Sequence, residues 1–328
     1  MTPTTRCGRF AALFLGLVLS ATAAQAQSQT PAWPDRSVKF VLPFGAGSAT
    51  DIAARLLAER LSAKWGKPVV IENRPGGDGL VAINAFISAN DDHVLLYASS
   101  ASFMAHPYTQ EKLPYELERD FAPIARVCDT VLAVGVPAAS EFKTVADFVT
   151  KARAEPAKYH AAGAAGVPEF VLGAFLKTEK LDVTKVPYRD VVQAGRDLGE
   201  SRIHFLLSSY AVVRPLVEAD KVRLLATGGR KRATVAPNVP AVMETGYPGL
   251  LTETTSGLYG PKGMPQNLRE RIGADVIAAA SDPVATQRIV ASGQDMNPGG
   301  PAELAATLKQ QANSIATVAK VLGMERKK

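Results

Sequence analysis

The chain has 328 residues, 47% of them hydrophobic and 21% charged, with a formal net charge of +6. This length and composition allow one large or two medium domains around a sizeable core and exclude a disordered chain. The basic residues are scattered, apart from a short run at 230–232 and another at the C-terminus, and no stripe interleaves them with aromatics, so nucleic acid is not an expected partner.

The first 26 residues read as a removable export signal. Arg6 and Arg9 supply the positive end, Phe10 to Leu19 the short apolar run, and Ala24-Gln25-Ala26 the small-x-small site, which places cleavage after Ala26. About ten apolar residues are too few to span a bilayer. No later stretch approaches the length of a membrane span, so a soluble periplasmic protein is expected. Cys7 precedes the apolar run and would be lost with the signal. Cys128 then stands alone, which rules out an internal disulfide, and its setting "ARVCDTVLAV" predicts a buried, inert thiol.

Strand-like and helix-period runs then alternate. "VKFVL" (38–42) predicts a strand. A helix follows from Ile52, with Leu56, Leu57, Leu61 and Trp65 on one face. "PVVIE" (68–72) is a second strand, "GLVAINAFISA" (79–89) a helix and "HVLLYA" (93–98) a third strand. Such a βαβαβ run predicts a parallel sheet covered by helices. "VLAVGV" (131–136) is strand-like, and "TVADFVTKARA" (144–154) is a helix with Thr144 and Asp147 at capping-box spacing. "PEFVLGAFLKTE", "VTKVPY", "VVQAGRDLGE", "RIHFLL" and "VRLLAT" supply a second α/β unit. The tail from Pro301 is an amphipathic helix with Leu304, Leu308, Ile315, Val318 and Leu322 on its apolar face. The expectation is two α/β lobes, with ligand-facing loops at 43–50, 75–79, 99–103, 163–168 and 188–192, beyond the carboxyl ends of the strands.

The turn "PFGAGSATD" (43–51) is one residue away from a dinucleotide fingerprint, with Thr50 where the third glycine would stand and Glu72 where a ribose-binding acid would sit. An exported chain makes a nicotinamide cofactor a poor expectation. Physically, the turn is a helix start whose free N–H groups and partial positive charge suit a small anion. Gly45 and Gly47 leave the backbone open, Ser48 or Thr50 can cap, and Asp51 falls in the first turn. Capping alone accounts for Ser48 and Asp51 as well as direct contact does. "PGGDG" (75–79) repeats the device, and "SSAS" (99–102) adds hydroxyls at the same edge.

A catalytic constellation is not legible. His93, His106, His160 and His204 form no HExxH or HxH pair, there is no G-x-S-x-G elbow, and no Walker lysine follows a glycine-rich loop. His93 and His204 begin strands, where a structural role is expected. The expectation is a binder with no catalytic residue, metal or cofactor; a dehydrogenase or a hydrolase is the less favoured alternative.

The mature chain resembles the Bug (TctC-like) family of periplasmic solute-binding proteins associated with tripartite tricarboxylate transporters. The resemblance is carried by "WPDRSVKFVLPFGAGSATDIAARLLAERL", "PVVIENRPGGDG", "KLPYELERDFAPIARV", "VPYRDVVQAGRDLGESRIHF", "VRLLATGGRKRATVAPNVPAVMETGYPG" and "GLYGPKGMP", in the family's order and at its spacing. It implies a type II periplasmic-binding fold, two α/β lobes joined by a hinge, with 27–130 and 253–328 in one lobe and 131–252 in the other. It further implies a monomer that closes on a small organic anion bearing a carboxylate. The partners it implies are two membrane subunits of a secondary transporter or, alternatively, a sensory protein.

The candidate binding residues are Phe44, Gly45, Ala46, Gly47, Ser48 and Asp51 in the first loop, Gly76 and Gly77 in the second, and Ser99, Ser100 and Ser102 in the third. From the other lobe come Gly163, Ala165, Gly166, Tyr188, Arg189, Asp190 and Ser208. Several depart from the family pattern: Ser48 and Ala49 replace glycines, "AAGAAGVP" lacks hydroxyls, Tyr188-Arg189-Asp190 stands for Y-K-G, Ser208 for an acid, and Thr255-Ser256 for an aromatic pair. These point to a solute other than citrate or an acidic amino acid, such as a monocarboxylate or an aromatic acid.

Overall fold

A computed structural model describes residues 33–188 and 190–327. The export signal with its cleavage point after Ala26, Cys7, and Arg189 lie outside the described residues. Ser37–Lys328 forms one compact unit.

The strands are β1 (Val38–Leu42), β2 (Val69–Asn73), β3 (Val94–Ser99), β4 (Phe121–Thr130), β5 (Leu132–Pro137), β6 (His160–Gly163), β7 (Thr184–Lys185), β8 (Phe205–Ser209), β9 (Val222–Thr227), β10 (Thr255–Pro261) and β11 (Gln294–Gly299). The helices are α1 (Ala49–Trp65), α2 (Leu80–Ala89), α3 (His106–Thr109), α4 (Leu117–Asp120), α5 (Val145–Ala154), α6 (Val167–Thr178), α7 (Val191–Gly199), α8 (Tyr210–Glu218), α9 (Gln266–Ala280), α10 (Pro283–Ala291) and α11 (Pro301–Leu322). The architecture is α/β with two lobes, each built on its own sheet. One sheet runs β11-β4-β10-β3-β1-β2 and the other β7-β6-β8-β5-β9.

The opening βαβαβ run folds as its apolar periodicity predicts. β1 lies parallel to β2 and β3, with Phe40 opposite Ile71 and Leu95. α1 starts where Ser48 Oγ accepts from Asp51 N and stops at Gly66, which takes the left-handed conformation at φ 64°. The capping box at Thr144 and Asp147 opens α5. α11 begins at Pro301 and ends at left-handed Gly323, and it packs on both β4 and α6.

Each lobe is stabilised by interlocked rings. Phe103 and Phe121 meet edge-on at 5.5 Å in the first, and Phe148 and Phe205 approach to 4.6 Å in the second. Burial of such a ring contributes about 1.5–3 kcal/mol.

The structure differs from the sequence expectation at three places. The single apolar run around Cys128 is two strands in different sheets: β4 ends at Thr130, β5 begins at Leu132, and Val131 is the link. Cys128 is buried as expected; burial pushes its thiol up to about 12, and the thiol donates to Gln294 Oε1 at 3.2 Å. "VTKVPY" yields only the two residues of β7, because Pro187 brings no N–H to a ladder. Most consequentially, "TSGLYGP" is β10, a strand buried along its whole length between β3 and β4.

Its small residues hide a strand whose neighbours come unusually close. A Cβ on Gly257 would stand 2.9 Å from the Ala125 carbonyl oxygen and 3.0 Å from Leu304 Cδ2. Gly257→Ala is expected to cost about 1–3 kcal/mol through this overpacking, read as a lower urea midpoint with an unchanged slope.

Candidate functional site

The loops after β1, β2 and β3 face the loops after β6 and β7 across a cleft of about 940 Å³. From the first lobe it is lined by Phe44, Gly45, Gly76, Asp78, Gly79, Ala101, Ser102 and His106. From the second come Ala165, Gly166, Glu169, Phe170, Lys185 and Asp190, and Leu322 and Met324 close one side. The lobes meet at its edge: a Cβ on Gly166 would fall 2.7 Å from the Ala101 carbonyl oxygen, and Gly166 has φ +85°.

The first loop is tied down by its own acid. Asp51 is 2% exposed. Its carboxylate accepts from Gly47 N at 2.9 Å, Arg55 Nε at 2.9 Å and Asn73 Nδ2 at 2.8 Å. Asn73 Nδ2 also reaches the Phe44 carbonyl at 2.9 Å. Burial pushes the Asp51 carboxyl up, but the bonds from Arg55, Gly47 and Asn73 outweigh it and hold the group below its ordinary value. An internal anion thus occupies the start of α1.

The second loop is open. Gly76, Gly77 and Gly79 all have positive φ, and Gly79 begins α2 with no side-chain cap. The Gly79 and Leu80 amides at this helix start donate to the Gly76 and Gly77 carbonyls, and no side-chain carboxylate caps it. Gly79 fits where a Cβ would press on Pro43 Cβ at 3.2 Å and Ser102 Cβ at 3.3 Å.

His106 holds this loop in place. It is 3% exposed, with Nε2 3.0 Å from the Asp78 carbonyl and Nδ1 2.7 Å from the Tyr115 hydroxyl. A carbonyl only accepts, so Nε2 donates and Nδ1 accepts from Tyr115, which fixes the neutral tautomer. Burial lowers the imidazole pKa, against partial opposition from the Asp78 carbonyl.

Residues 53–323 match the sequence profile of the tripartite tricarboxylate transporter family receptor. The chain belongs to that receptor family. A UPF0065 protein of Bordetella bronchiseptica is 30% identical over 296 residues, covering 90% of this chain and 87% of that one. The R. palustris protein Rpa4515, solved with adipate, superposes with a TM-score of 0.77 at 26% identity over 89% of this chain and 99% of that one. The periplasmic binding protein BugD gives 0.75 at 25% identity over the same shares. These are solute-binding receptors of the periplasmic class, and among the described residues no helix is long and apolar enough to cross a membrane.

Within this receptor fold the sequence candidates separate into two groups. Phe44, Gly45, Gly76, Ser102, Ala165, Gly166 and Asp190 line the cleft. Ala46, Gly47, Ser48, Asp51 and Gly77 lie in the same loops but outside that lining, and Ser48 and Asp51 act as helix-capping groups. Ser99 and Ser100 are buried; Ser100 Oγ accepts from Thr255 N at 3.0 Å, tying the third loop to β10. Ser208 is buried too, and Gly163 sits where a Cβ would strike Glu169 Cα at 2.5 Å. The Tyr188 hydroxyl donates to Asp197 Oδ2 at 2.7 Å, which holds it inside the second lobe.

Sequence reading missed Asp78, His106, Glu169, Phe170 and Lys185. Only the glycines around Asp78 gave any signal; the others belong to helices and a short strand that read as structural.

Two outcomes follow from this geometry. A histidine kept neutral in the fold stabilises fully above about pH 6.5 and less as pH falls through its lowered folded value, because the unfolded chain takes up the proton first. His204, also lowered chiefly by burial, acts in the same sense. The melting temperature is therefore expected to fall from about pH 7.5 to about pH 5.5, with a shallower slope in His106→Gln. Gly166→Ala places a methyl against Ala101 in a conformation reserved for glycine, and solution scattering should show a larger radius of gyration than that of the native protein.

Proposed function

We propose that this protein is a periplasmic receptor that captures a small carboxylate-bearing solute between its lobes. It delivers the solute to the membrane subunits of a tripartite tricarboxylate-type transporter. The carrying observation is the uncapped start of α2 at Gly79, open to a cleft of about 940 Å³ at the carboxyl ends of the strands. Anions are stabilised at such a helix start, and hydrogen bonds to a charged group contribute about 1.5–3 kcal/mol each. The adipate in the related R. palustris structure supports the same ligand class.

In this reading the turn at Gly76 and Gly77 receives the carboxylate, Ser102 lies beside it, and Phe44 and Gly45 flank it. The second lobe closes through Ala165, Gly166 and Asp190. The hinge lies near 130–131 and 252–253, a division supported by the membership of the two sheets. Residues 1–26 direct export and are cleaved after Ala26, the mature protein works as a monomer, and capture involves no chemical transformation. A solute drives closure only as far as it binds the closed form better than the open one.

The test is calorimetry on protein beginning at residue 27, unfolded and refolded to release retained solute. One saturable site with a dissociation constant of about 1–100 μM for a member of a C4–C6 carboxylate series is expected. Absence of binding across that series at about 1 mM overturns the receptor reading.

A further inference from the structure

We propose that the β11 edge of the first lobe holds the receptor open. The contacts that Asp295 and Ala291 make there with the second lobe come apart as the cleft closes, so weakening them tightens solute binding. The proposal rests on the receptor reading above and assigns a control on the affinity of that same site from outside it.

The order of the strands divides each sheet at the crossing between the lobes. The chain crosses at Val131, from β4 to β5, and again at 252–254 on its way into β10, where Thr130 N donates to the Thr254 carbonyl at 3.0 Å. In the first sheet β3, β1 and β2 lie on one side of β10 and β4, and β11 lies on the other. In the second sheet β8, β6 and β7 lie on one side of β5, and β9 on the other. The cleft is bounded by the loops after β1, β2, β3, β6 and β7, which places it on the first side. On the far side β11 and the chain leaving β9 border a crevice of about 370 Å³, lined by Asp295 and Asn297 of one lobe and Gly229, Arg230 and Ala233 of the other. Two lobes turning about shared crossings move their two sides in opposite senses, so closing the cleft widens this crevice.

Three contacts cross the far side. Asp295 accepts from the Thr234 amide at 3.3 Å and from the Thr234 hydroxyl. Arg214 Nη1, on α8, donates to the Ala291 carbonyl at the end of α10 at 2.6 Å. Gly293, at φ +86°, lies against Ala211, where a Cβ would stand 3.1 Å from Ala211 N. The bond from Asp295 to the second lobe follows from its neighbour. The register sets Asp295 opposite Asp129 on β4, and like charges directly opposite on paired strands repel. The Asp129 carboxylate accepts from Asn297 Nδ2 at 2.6 Å instead. All three contacts are made while the cleft still measures about 940 Å³, more than a small solute fills. A solute's apparent affinity is its affinity for the closed form reduced by the fraction of protein that adopts that form. Contacts that belong to the open form therefore weaken binding.

The test titrates adipate calorimetrically into the native protein, Thr234→Val, Arg214→Ala, their double variant and Thr234→Ser. Thr234 is exposed and Arg214 partly so, and neither lines the cleft; an unchanged circular-dichroism spectrum will show that the variants fold. Thr234→Val and Arg214→Ala are each expected to tighten adipate by about threefold, and the double variant by about tenfold, because the two bonds share no partner. Thr234→Ser keeps the hydroxyl and should keep the native affinity. Solution scattering without ligand should show a smaller radius of gyration for the double variant than for the native protein. Damage to the fold weakens binding and does not tighten it, so the sign of the change separates the two. Adipate bound no more tightly by the double variant than by the native protein overturns this assignment and leaves the receptor reading standing. If the native protein binds no adipate, the scattering comparison decides alone, and equal radii overturn the assignment.

Discussion

The geometry of the site depends on one buried carboxylate. Asp51 sits at the start of α1 and gathers the Gly47 amide, the Arg55 guanidinium and the Asn73 amide. Asn73 ends β2, and the same amide group reaches back to the Phe44 carbonyl after β1. One anion thereby joins the ends of two strands to the beginning of a helix. A buried carboxylate with that many donors is stable as an anion, whereas one without them would be driven to protonate. Its presence also fills the site that the glycine-rich turn would otherwise offer to a ligand. The glycine-rich turn without such a carboxylate cap lies one loop further on, at Gly76–Gly79.

That second loop needs support of another kind, because a glycine-rich segment is expensive to order. His106, in the cleft wall, supplies it by donating to the Asp78 carbonyl while accepting from Tyr115. The third loop is fixed by Ser100 Oγ, which receives the Thr255 amide of β10. The three loops of the first lobe are thus each anchored to a different element behind them. The cleft-lining groups of these loops are held in place by the chain itself, and such preorganisation reduces the ordering cost of binding in the receptor reading proposed above.

The second lobe contributes a backbone contact and charge. Gly166 touches the Ala101 carbonyl through a backbone conformation that only glycine adopts comfortably, so the lobes meet backbone to backbone. Behind this contact Glu169 and Asp190 give the lobe a negative rim. α11 packs on α6 of the second lobe as well as on β4 of the first, so the C-terminal helix is shared by both halves.

Much of the fold was legible in the sequence. The alternation of "VKFVL", "PVVIE" and "HVLLYA" with helix-period runs specifies a parallel sheet through burial alone. Ser48, and Thr144 with Asp147, mark helix starts through local hydrogen bonding that needs no distant partner. Seven of the proposed site residues could be placed at the cleft because strand ends and glycine-rich turns are local signals. β10 could not be read, since Thr255–Pro261 owes its strand to neighbours distant in sequence and its glycines to the approach of Ala125 and Leu304. Whether a polar residue faces the cleft or a helix start was likewise undetermined: Ser48, Asp51 and Ser100 have the same chemistry as a ligand-binding group, and only the tertiary structure shows their donors and acceptors already taken. His106 and Glu169 became visible for the same reason. A side chain's type is fixed by the sequence, but the groups that compete for its hydrogen bonds and charge are set by the packing of segments far apart in the chain.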